Sequence, residues 1–442
     1  MKKSLLLICF TIIIATVLFP LSASAYAPSD FSINAEFCVL ANTDTGVVLY
    51  SKNADERLYP ASVTKLLTAL VVCDSVADYD ETVTIDGDLI DTLLGTDSSL
   101  SYIVRDEVLT IDQLLHYLLI TSGNDTALVL AKHVGGTVDR FIEMMNEKAI
   151  ELGMNSSHFA NPHGLPDSDH YTTANDIYKL ASAAFKVDEI KDICSSARYT
   201  IPATNMHGER VIANTNFLID PSTMYYYKYC TGGKTGYTDS AGRCLVSTAE
   251  KDGMHYLCVM MKADPEFVNS SGEYERIEFS DSKRMYEWAF KNFGYKTVIE
   301  KNEYITDIDV NLSWETGSVK LLAGESLTAL LPNEADRSSV EIDVGFLQDK
   351  SVDAAIEEGQ LIAVASVYYA DEKIGTINLV AESAAKRSLM QYSWFLIKRA
   401  ARTLWFKLIF VVIAITLALY WIIATAQINA IKRKRNRLRR HR

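Results

Sequence analysis

The stretch Tyr59–Lys65, with the sequence YPASVTK, places a hydroxyl and an amine three residues apart at the start of an apolar helix. Pro60 is typical of the position just ahead of a helix, and the leucines and valines after Lys65 recur at the helical period. Ser62 and Lys65 are therefore expected on the same side of the helix. An alcohol needs a neighbouring base to act as a nucleophile, and lysine can be that base when burial or another cation lowers its pKa. The stretch thus predicts a serine nucleophile with a lysine base.

A second hydroxyl follows in the segment Ser122-Gly123-Asn124. Upstream, Thr110 and Gln113 have the spacing of a capping box, which predicts a helix through the apolar residues that come next. Gly123 and Asn124 then favour a turn, which would present the Ser122 hydroxyl and the Asn124 carboxamide at one point.

A third segment, Lys234-Thr235-Gly236, lies between a glycine pair and residues that favour strands. Gly236 would let a substrate backbone approach the strand edge closely. Each of the three segments alone is compatible with an ordinary helix cap or turn. Their order and domain-scale spacing make a chance combination improbable, so we interpret them as parts of one catalytic site.

These segments resemble the S-x-x-K, S-x-N and K-T-G motifs of the penicillin-recognising serine hydrolases. Within that group the chain looks most like the low-molecular-weight penicillin-binding proteins that are D-alanyl-D-alanine carboxypeptidases. The similarity covers residues from about 32 to 295 and rests on Tyr59–Lys65, Ser122–Asp125, Asn161–Leu165 and Gly233–Thr238. It implies an α/β (α+β) catalytic domain like that of β-lactamases and transpeptidases.

The resemblance also implies a reaction on peptidoglycan stem peptides, with β-lactams as covalent inhibitors. Ser62 would attack the carbonyl between two terminal D-alanines, and water would hydrolyse the resulting acyl-enzyme. The implied catalytic residues are Ser62, Lys65 as the base, and Ser122, which would relay the proton to the departing amine. The implied substrate-binding residues are Asn124 for the peptide backbone, Lys234 and Thr235 for the terminal carboxylate, Gly236, and Tyr237, whose N–H would complete an oxyanion hole with that of Ser62.

No metal or cofactor is expected. His158, His163 and His170 lack the i, i+4 spacing of a helical metal site, and the cysteines lie far from them in sequence. The family likeness interprets Asn161–His170 as an ordered loop that frames the active site. The cysteines that follow Cys9 show no C-x-x-C spacing, so disulfides are permitted in an exported protein while buried thiols fit equally well.

Both ends of the chain predict where this chemistry takes place. A basic start, an apolar stretch and Ala23-Ser24-Ala25 have the form of a secretory signal. The uncharged stretch Leu408–Thr425 is just long enough to span a bilayer, and the basic residues from Lys432 to Arg442 would stay in the cytoplasm. No acidic residue follows Glu382. Next to a membrane span, such a basic run favours contact with anionic membrane lipids over nucleic acid.

The remaining pattern divides the exported part of the chain. A hairpin is expected over residues 37–50, helices dominate from Ser62 to about Ala184, and a last helix is expected over Ser280–Phe293. Short strand-like runs after Tyr304 predict a small β-sandwich. The predicted divisions are 1–25 signal peptide, 26–296 catalytic domain, 297–385 β-rich domain, 386–407 amphipathic juxtamembrane segment, 408–425 transmembrane helix and 426–442 cytoplasmic tail.

Other functions remain open at this stage. A class A β-lactamase would need a glutamate for deacylation, and no glutamate between Ser122 and Lys234 stands in an E-x-x-L-N setting. A β-lactam sensor would need a signalling domain, and only 17 residues follow Thr425. Endopeptidase activity on crosslinked stem peptides is an alternative that the sequence does not separate from carboxypeptidase activity.

Overall fold

The structure is a computed structural model that describes residues 31–96, 98–345 and 351–439. The predicted signal peptide therefore lies outside the described residues. The described residues form two compact units, one from residue 31 to Gly294 with Leu330–Glu334 and one formed by Tyr295–Ala329 with the described residues from Ala335 onward.

The first unit is built on a five-stranded antiparallel sheet in the order β2-β1-β9-β8-β7. The first strand pairs with the last, Cys38 opposite Met260, so the two ends of this unit meet in the sheet. The expected N-terminal hairpin is confirmed as β1 and β2. The strands are β1 (Phe37–Asn42), β2 (Val48–Lys52), β7 (Cys230–Thr238), β8 (Gly242–Lys251) and β9 (Met254–Ala263).

Helices and two short strand pairs surround this sheet. Helix α1 (Thr64–Ser75) is buried from Thr64 to Val72, because apolar residues occupy nearly its whole circumference. The strand pairs are β3 (Thr82–Thr84) with β4 (Val108–Thr110) and β5 (Arg198–Ile201) with β6 (Arg210–Ala213). The other helices are α2 (Gly87–Asp91), α3 (Ile111–His116), α4 (Asn124–Gly135), α5 (Val138–Glu151), α6 (Ala174–Ala184), α7 (Asp188–Ser195) and α8 (Ile277–Asn292).

Helix α3 begins with the expected capping box, in which the Thr110 hydroxyl accepts from the Gln113 N–H and the Gln113 side chain accepts from the Thr110 N–H. The helix does not continue regularly through the apolar run. It passes into a π turn over Tyr117–Thr121, which ends at Ser122 in the left-handed conformation with φ of 65°. The backbone of Ser122 thus changes direction abruptly before α4 begins at Asn124.

The second unit is rich in strands, as expected. Its main sheet has six strands in the order β14-β16-β17-β12-β11-β15, with β11 and β15 parallel. Strands β10 and β13, each of which contains residues of both units, form a separate pair. The bounds are β10 (Phe293–Ile299), β11 (Tyr304–Asn311), β12 (Ser318–Ala323), β13 (Leu327–Pro332), β14 (Val340–Val344), β15 (Ser351–Asp353), β16 (Leu361–Tyr369) and β17 (Glu372–Ala381).

Two helices close the chain. Helix α9 (Leu389–Ala401) is capped by Ser388, whose hydroxyl accepts from the Gln391 N–H. Helix α10 (Leu404–Arg439) contains the segment Leu404–Arg433, which is long and apolar enough to cross a membrane. The expected apolar span over 408–425 falls inside this segment. The predicted fold class, an α/β catalytic domain followed by a β-rich domain and a C-terminal apolar helix, is confirmed.

Candidate active site

Ser62 and Lys65 meet at the N-terminal end of α1. Ser62 lies in a 3₁₀ turn over Ala61–Val63, directly ahead of the helix. The Lys65 Nζ atom lies 2.8 Å from the Ser62 Oγ atom. Ser62 is half-buried at the cavity wall, whereas Lys65 is completely buried. The hydroxyl can therefore reach a substrate while its potential base is shielded from water.

Three oxygen atoms surround the Lys65 amine. Besides Ser62 Oγ, these are Asn124 Oδ1 at 2.6 Å and the backbone oxygen of His163 at 2.7 Å. A neutral amine has two hydrogens and one lone pair. It can donate to the two carbonyl oxygens and accept the hydrogen of the Ser62 hydroxyl, so all its bonding capacity is used in the form that a base requires.

The environment of Lys65 favours this neutral form. Burial is the largest cause that lowers its pKa well below the ordinary value, and the Lys234 charge lowers it further, while Asp125 opposes the shift. Burial also lowers the pKa of Lys234 to about 8. Both buried amines thus lose their protons more readily than an exposed lysine does, and the Lys234 charge further favours a neutral Lys65.

The Ser122 hydroxyl lies on the Lys234 side of the site. Lys234 donates to Ser122 Oγ at 2.9 Å and to the backbone oxygen of Thr235 at 2.9 Å. The left-handed backbone of Ser122 and the start of α4 bring the Ser122 hydroxyl and the Asn124 carboxamide to one cavity. Each of the two buried lysines therefore holds one of the two serine hydroxyls.

Strand β7 forms another wall of the site and supplies Thr235, Gly236 and Tyr237. The Thr235 hydroxyl donates to the Thr215 hydroxyl at 2.6 Å. A Cβ atom built on Gly236 would lie 3.0 Å from the Ser62 nitrogen. The sequence suggested that this glycine admits a substrate backbone; the structure shows that it also lets β7 approach the Ser62 turn itself.

The loop over Asn161–His170 frames the same cavity, as the resemblance implied. A Cβ atom on Gly164, whose φ is 92°, would lie 1.9 Å from the Ala61 oxygen, so only glycine fits beside the Ser62 turn. The His163 ring is buried, which lowers its pKa to about 3 and leaves it neutral. Its contribution to the site is its backbone oxygen on Lys65.

The cavity has a volume of about 1020 Å³ and includes residues that the sequence did not single out. Thr215 and Arg276 line it together with Ser62 and Thr235, whereas neither buried lysine does. Arg276 lies just before α8, far from every motif in sequence, and only the fold brings it here. No local signal marks either residue as part of a site.

Groups that suggest other chemistry are not found in the part of the chain that the structure describes. No cluster of three or more histidine, cysteine or acidic side chains there could hold a metal ion. The six described cysteines are all free thiols. Burial raises the pKa of the Cys230 thiol, the one nearest Lys234 in sequence, to about 12, which fits a packing role.

Comparison with known proteins gives two family matches. Residues 23–265 match the model described as D-alanyl-D-alanine carboxypeptidase, and residues 293–387 match that of the penicillin-binding protein 5 C-terminal domain. The first match spans more than half of the chain.

Individual relatives agree with these matches. The chain is 26% identical to the D-alanyl-D-alanine carboxypeptidase DacF of Bacillus subtilis, over 79% of this chain and 87% of the relative. It is 33% identical to the D-alanyl-D-alanine carboxypeptidase DacB2 of Mycobacterium tuberculosis, over 58% of this chain and 82% of the relative. Among solved structures, penicillin binding protein 5 of Haemophilus influenzae superimposes with a TM-score of 0.61 at 27% identity, covering 82% of this chain and all of that one. The chain therefore belongs to the D-alanyl-D-alanine carboxypeptidase family and is a serine-type carboxypeptidase.

Proposed function

We propose that this protein removes the terminal D-alanine from peptidoglycan stem pentapeptides through an acyl-enzyme on Ser62. The observation that carries the proposal is that two hydroxyls line one cavity, Ser62 and Ser122, and that each is held by a buried amine, of Lys65 and Lys234 respectively. The names of the relatives supply the substrate class.

In the acylation step, the Ser62 oxygen forms a bond to the carbonyl carbon as its proton passes to the neutral Lys65 amine. The developing oxyanion meets the backbone N–H groups of Ser62 and Tyr237. The tetrahedral intermediate then expels the terminal D-alanine by breaking its C–N bond. The leaving nitrogen takes a proton from Ser122, which is replaced by the one on Lys65, so the base is neutral again.

In the deacylation step, water attacks the ester and gives its proton to Lys65. The Ser62 oxygen leaves and recovers a proton, which releases a shortened peptide. Asn124 supports both steps, because its carboxamide oxygen holds Lys65 while its NH₂ group is available to the substrate backbone.

Recognition of a chain end requires positive charge near Thr235. Lys234 supplies a buried charge directly behind this residue, Thr235 offers its hydroxyl to the cavity, and Arg276 adds a partly exposed guanidinium. A terminal carboxylate would gain charge-assisted hydrogen bonds at this wall that an internal peptide bond would not.

For location, we propose a bacterial cell membrane with the catalytic domain outside, the apolar part of α10 in contact with membrane lipids, and the basic end of the chain in the cytoplasm. The length and composition of Leu404–Arg433 and the basic residues that follow it support this orientation.

Acylation by a penicillin tests the nucleophile. We expect intact-mass spectrometry of the native protein to detect one covalent adduct that lasts for minutes or longer, because no glutamate between Ser122 and Lys234 stands in the E-x-x-L-N setting that serves rapid deacylation in class A β-lactamases. Ser62→Ala should form no adduct. An equal adduct in Ser62→Ala would contradict the assignment, and an adduct lost within a second would favour a β-lactamase.

Removal of Lys234 tests carboxylate recognition. Lys234→Ala should lower kcat/KM for a peptide ending in D-Ala-D-Ala by roughly one to two decades, because it removes the buried positive charge behind Thr235, which we expect to be worth as much as a charge-assisted hydrogen bond, about 1.5–3 kcal/mol. The kcat/KM for the same peptide with an amidated end should fall by a smaller factor. Equal losses on both peptides would mean that Lys234 affects the chemistry alone.

A further inference from the structure

The cavity wall contains an ion pair that the reaction described above does not use. Arg276 lines the cavity, and Glu278 lies two residues later in the first turn of α8. The Arg276 Nε and Nη2 atoms both donate to one oxygen of Glu278, Oε1, at 2.7 and 2.6 Å. The side chain of Arg276 is 21% exposed and that of Glu278 is 1% exposed.

The guanidinium is restrained on several sides. Its central carbon lies 4.6 Å from the centre of the Phe279 ring and 4.9 Å from that of Phe217, which also lines the cavity. The backbone N–H of Arg276 donates to the Tyr225 hydroxyl at 3.0 Å. The pair with Glu278 engages Nε and Nη2, and the described residues offer no hydrogen-bond partner to Nη1, which is left for a ligand.

Stability alone gives a poor account of Glu278. Its second oxygen, Oε2, is buried and has no hydrogen-bond partner within the described residues. Burying a carboxylate with one oxygen unpaired lowers the free energy of unfolding. A protein with an apolar side chain in such a place is often equally stable. The N-terminal end of α8 offsets part of this cost, because it favours negative charge.

We propose that Glu278 is a positioning residue that holds the Arg276 guanidinium at the cavity wall, with Nη1 directed to the terminal carboxylate of the substrate. This inference rests on the proposed function, because it explains how Arg276 is oriented towards the substrate carboxylate that the proposed function requires. Glu278 itself touches no reacting atom, and its effect passes through Arg276.

The assay compares kcat and KM of the full-length protein on two peptides, one ending in free D-Ala-D-Ala and one with that end amidated. Glu278→Ala should lower kcat/KM for the acid peptide about tenfold, mainly through KM, because a misplaced guanidinium loses a charge-assisted contact. The amide peptide should change by less than about twofold. Glu278→Gln keeps an acceptor for Nε and should restore the acid peptide to within about threefold of the native value.

A double-mutant cycle tests whether Glu278 acts through Arg276. In an Arg276→Ala background, adding Glu278→Ala should change the acid-peptide kcat/KM by less than about twofold, because the group being positioned is already absent. Additive losses would overturn the proposal, as would equal losses on the acid and amide peptides in the single variant.

Asp281 on the same helix provides a matched control. It too is a buried carboxylate paired with an arginine, Arg284, at 2.9 Å, and neither lines the cavity. Asp281→Asn should lower the thermal stability without changing the ratio of acid to amide activity. An altered ratio here would show that any loss at the start of α8 disturbs the cavity, and would overturn the specific role of Glu278.

Two further outcomes are distinguishable. A native protein that hydrolyses both peptides equally well would contradict the proposed carboxylate recognition, and the role of Glu278 with it. If Glu278→Ala does not fold, Glu278→Asp keeps the charge but is one methylene shorter. An acid-peptide KM equal to the native value in Glu278→Asp would overturn the proposal, and an increase confined to the acid peptide would support it.

Discussion

Two residues in the left-handed conformation orient the backbone at the two serine hydroxyls of the site. Ala61, immediately before Ser62, has φ of 49°, and Ser122 has φ of 65°. A residue with a Cβ atom in this conformation costs roughly 1–3 kcal/mol, so surrounding contacts must enforce it. The Gly164 loop and β7 enclose the Ala61–Val63 turn and supply these contacts. The left-handed conformation therefore lowers the stability of the fold but fixes the position of the Ser62 nucleophile.

The close approach of Gly164 to the Ala61 oxygen can be tested by adding a methyl group at residue 164. Gly164→Ala should lower acylation of Ser62 by penicillin at least about tenfold and also lower Tm, because the new methyl would occupy the place of the Ala61 oxygen and displace the Ser62 turn. The rate of adduct formation by mass spectrometry and thermal unfolding measure the two effects.

Gly153→Ala is the control for this change. Gly153 has a similar φ of 72°, yet nothing lies within 4 Å of a Cβ atom there. It should show only the cost of the backbone conformation, with an unchanged acylation rate. An unchanged rate in Gly164→Ala as well would mean that the loop does not position the nucleophile.

The loop over Asn161–His170 buries two neutral histidines, His163 and His170. Burial is the largest cause that lowers the pKa of His163 to about 3 and that of His170 to about 4, from an ordinary value of 6.5. The His170 Nε2 atom lies 2.8 Å from the Thr64 hydroxyl of α1. The loop is thus attached to the catalytic helix by groups that must stay uncharged.

This loop gives a prediction for acid stability. The unfolded chain binds protons at these histidines below pH 6.5, whereas the folded chain does so only near pH 3 to 4. The free energy of unfolding should therefore fall as the pH drops from 6.5 towards 4, by up to about 1.4 kcal/mol per pH unit for each histidine. His170→Gln should remove about one proton from the uptake on unfolding, measured by denaturant titration at several pH values.

Phe159→Leu serves as a control, because Phe159 packs edge-on against the His170 ring and carries no titrating group. It should lower stability at every pH and leave the slope unchanged. A native slope retained in His170→Gln would contradict the assignment of this proton uptake to His170.

Local patterns predicted the elements that depend on neighbouring residues. The capping box at Thr110 and the hairpin β1–β2 both follow from short-range chemistry. The helix expected over Ser280–Phe293 runs instead from Ile277 to Asn292. Its start was missed because Arg276, which precedes it, makes no side-chain cap and is not a typical cap residue. The π turn before Ser122 was not expected, since its apolar residues also suit a regular helix.

The candidate site was predictable to the extent that its residues stand in motifs. Ser62, Lys65, Ser122, Asn124 and β7 meet as the resemblance implied. Other groups at the site were not predicted. The His163 contribution is a backbone oxygen, which every residue has, and Thr215 and Arg276 are single side chains in separate segments. Their place in the site depends on tertiary packing, which sequence spacing does not encode.

At the scale of the whole molecule, the second family match ends at residue 387, directly before the helices α9 and α10. A chain ending at Arg387 should be recovered in the soluble fraction with kcat/KM within about twofold of the full-length value, because the site lies wholly in the first unit. Membrane flotation and peptide hydrolysis provide the measurements.

A chain ending at Thr403 is the matched comparison, since it keeps α9, with its exposed Trp394 and Phe395, and lacks α10. Reversible binding to anionic vesicles would assign interfacial affinity to α9. Firm membrane retention of the chain ending at Arg387 would contradict α10 as the anchor.

The buried thiols described above make the protein its own reporter of unfolding. Only a thiolate reacts with alkylating reagents, and burial raises the pKa of Cys194 and Cys244 to about 12, so both are shielded from reagent and held protonated. The two cysteines lie in different parts of the first unit, on α7 and β8. Pulse alkylation followed by peptide mapping would measure the opening rate of each part separately. Penicillin bound at Ser62 should slow alkylation most in the part of the unit that its adduct stabilises.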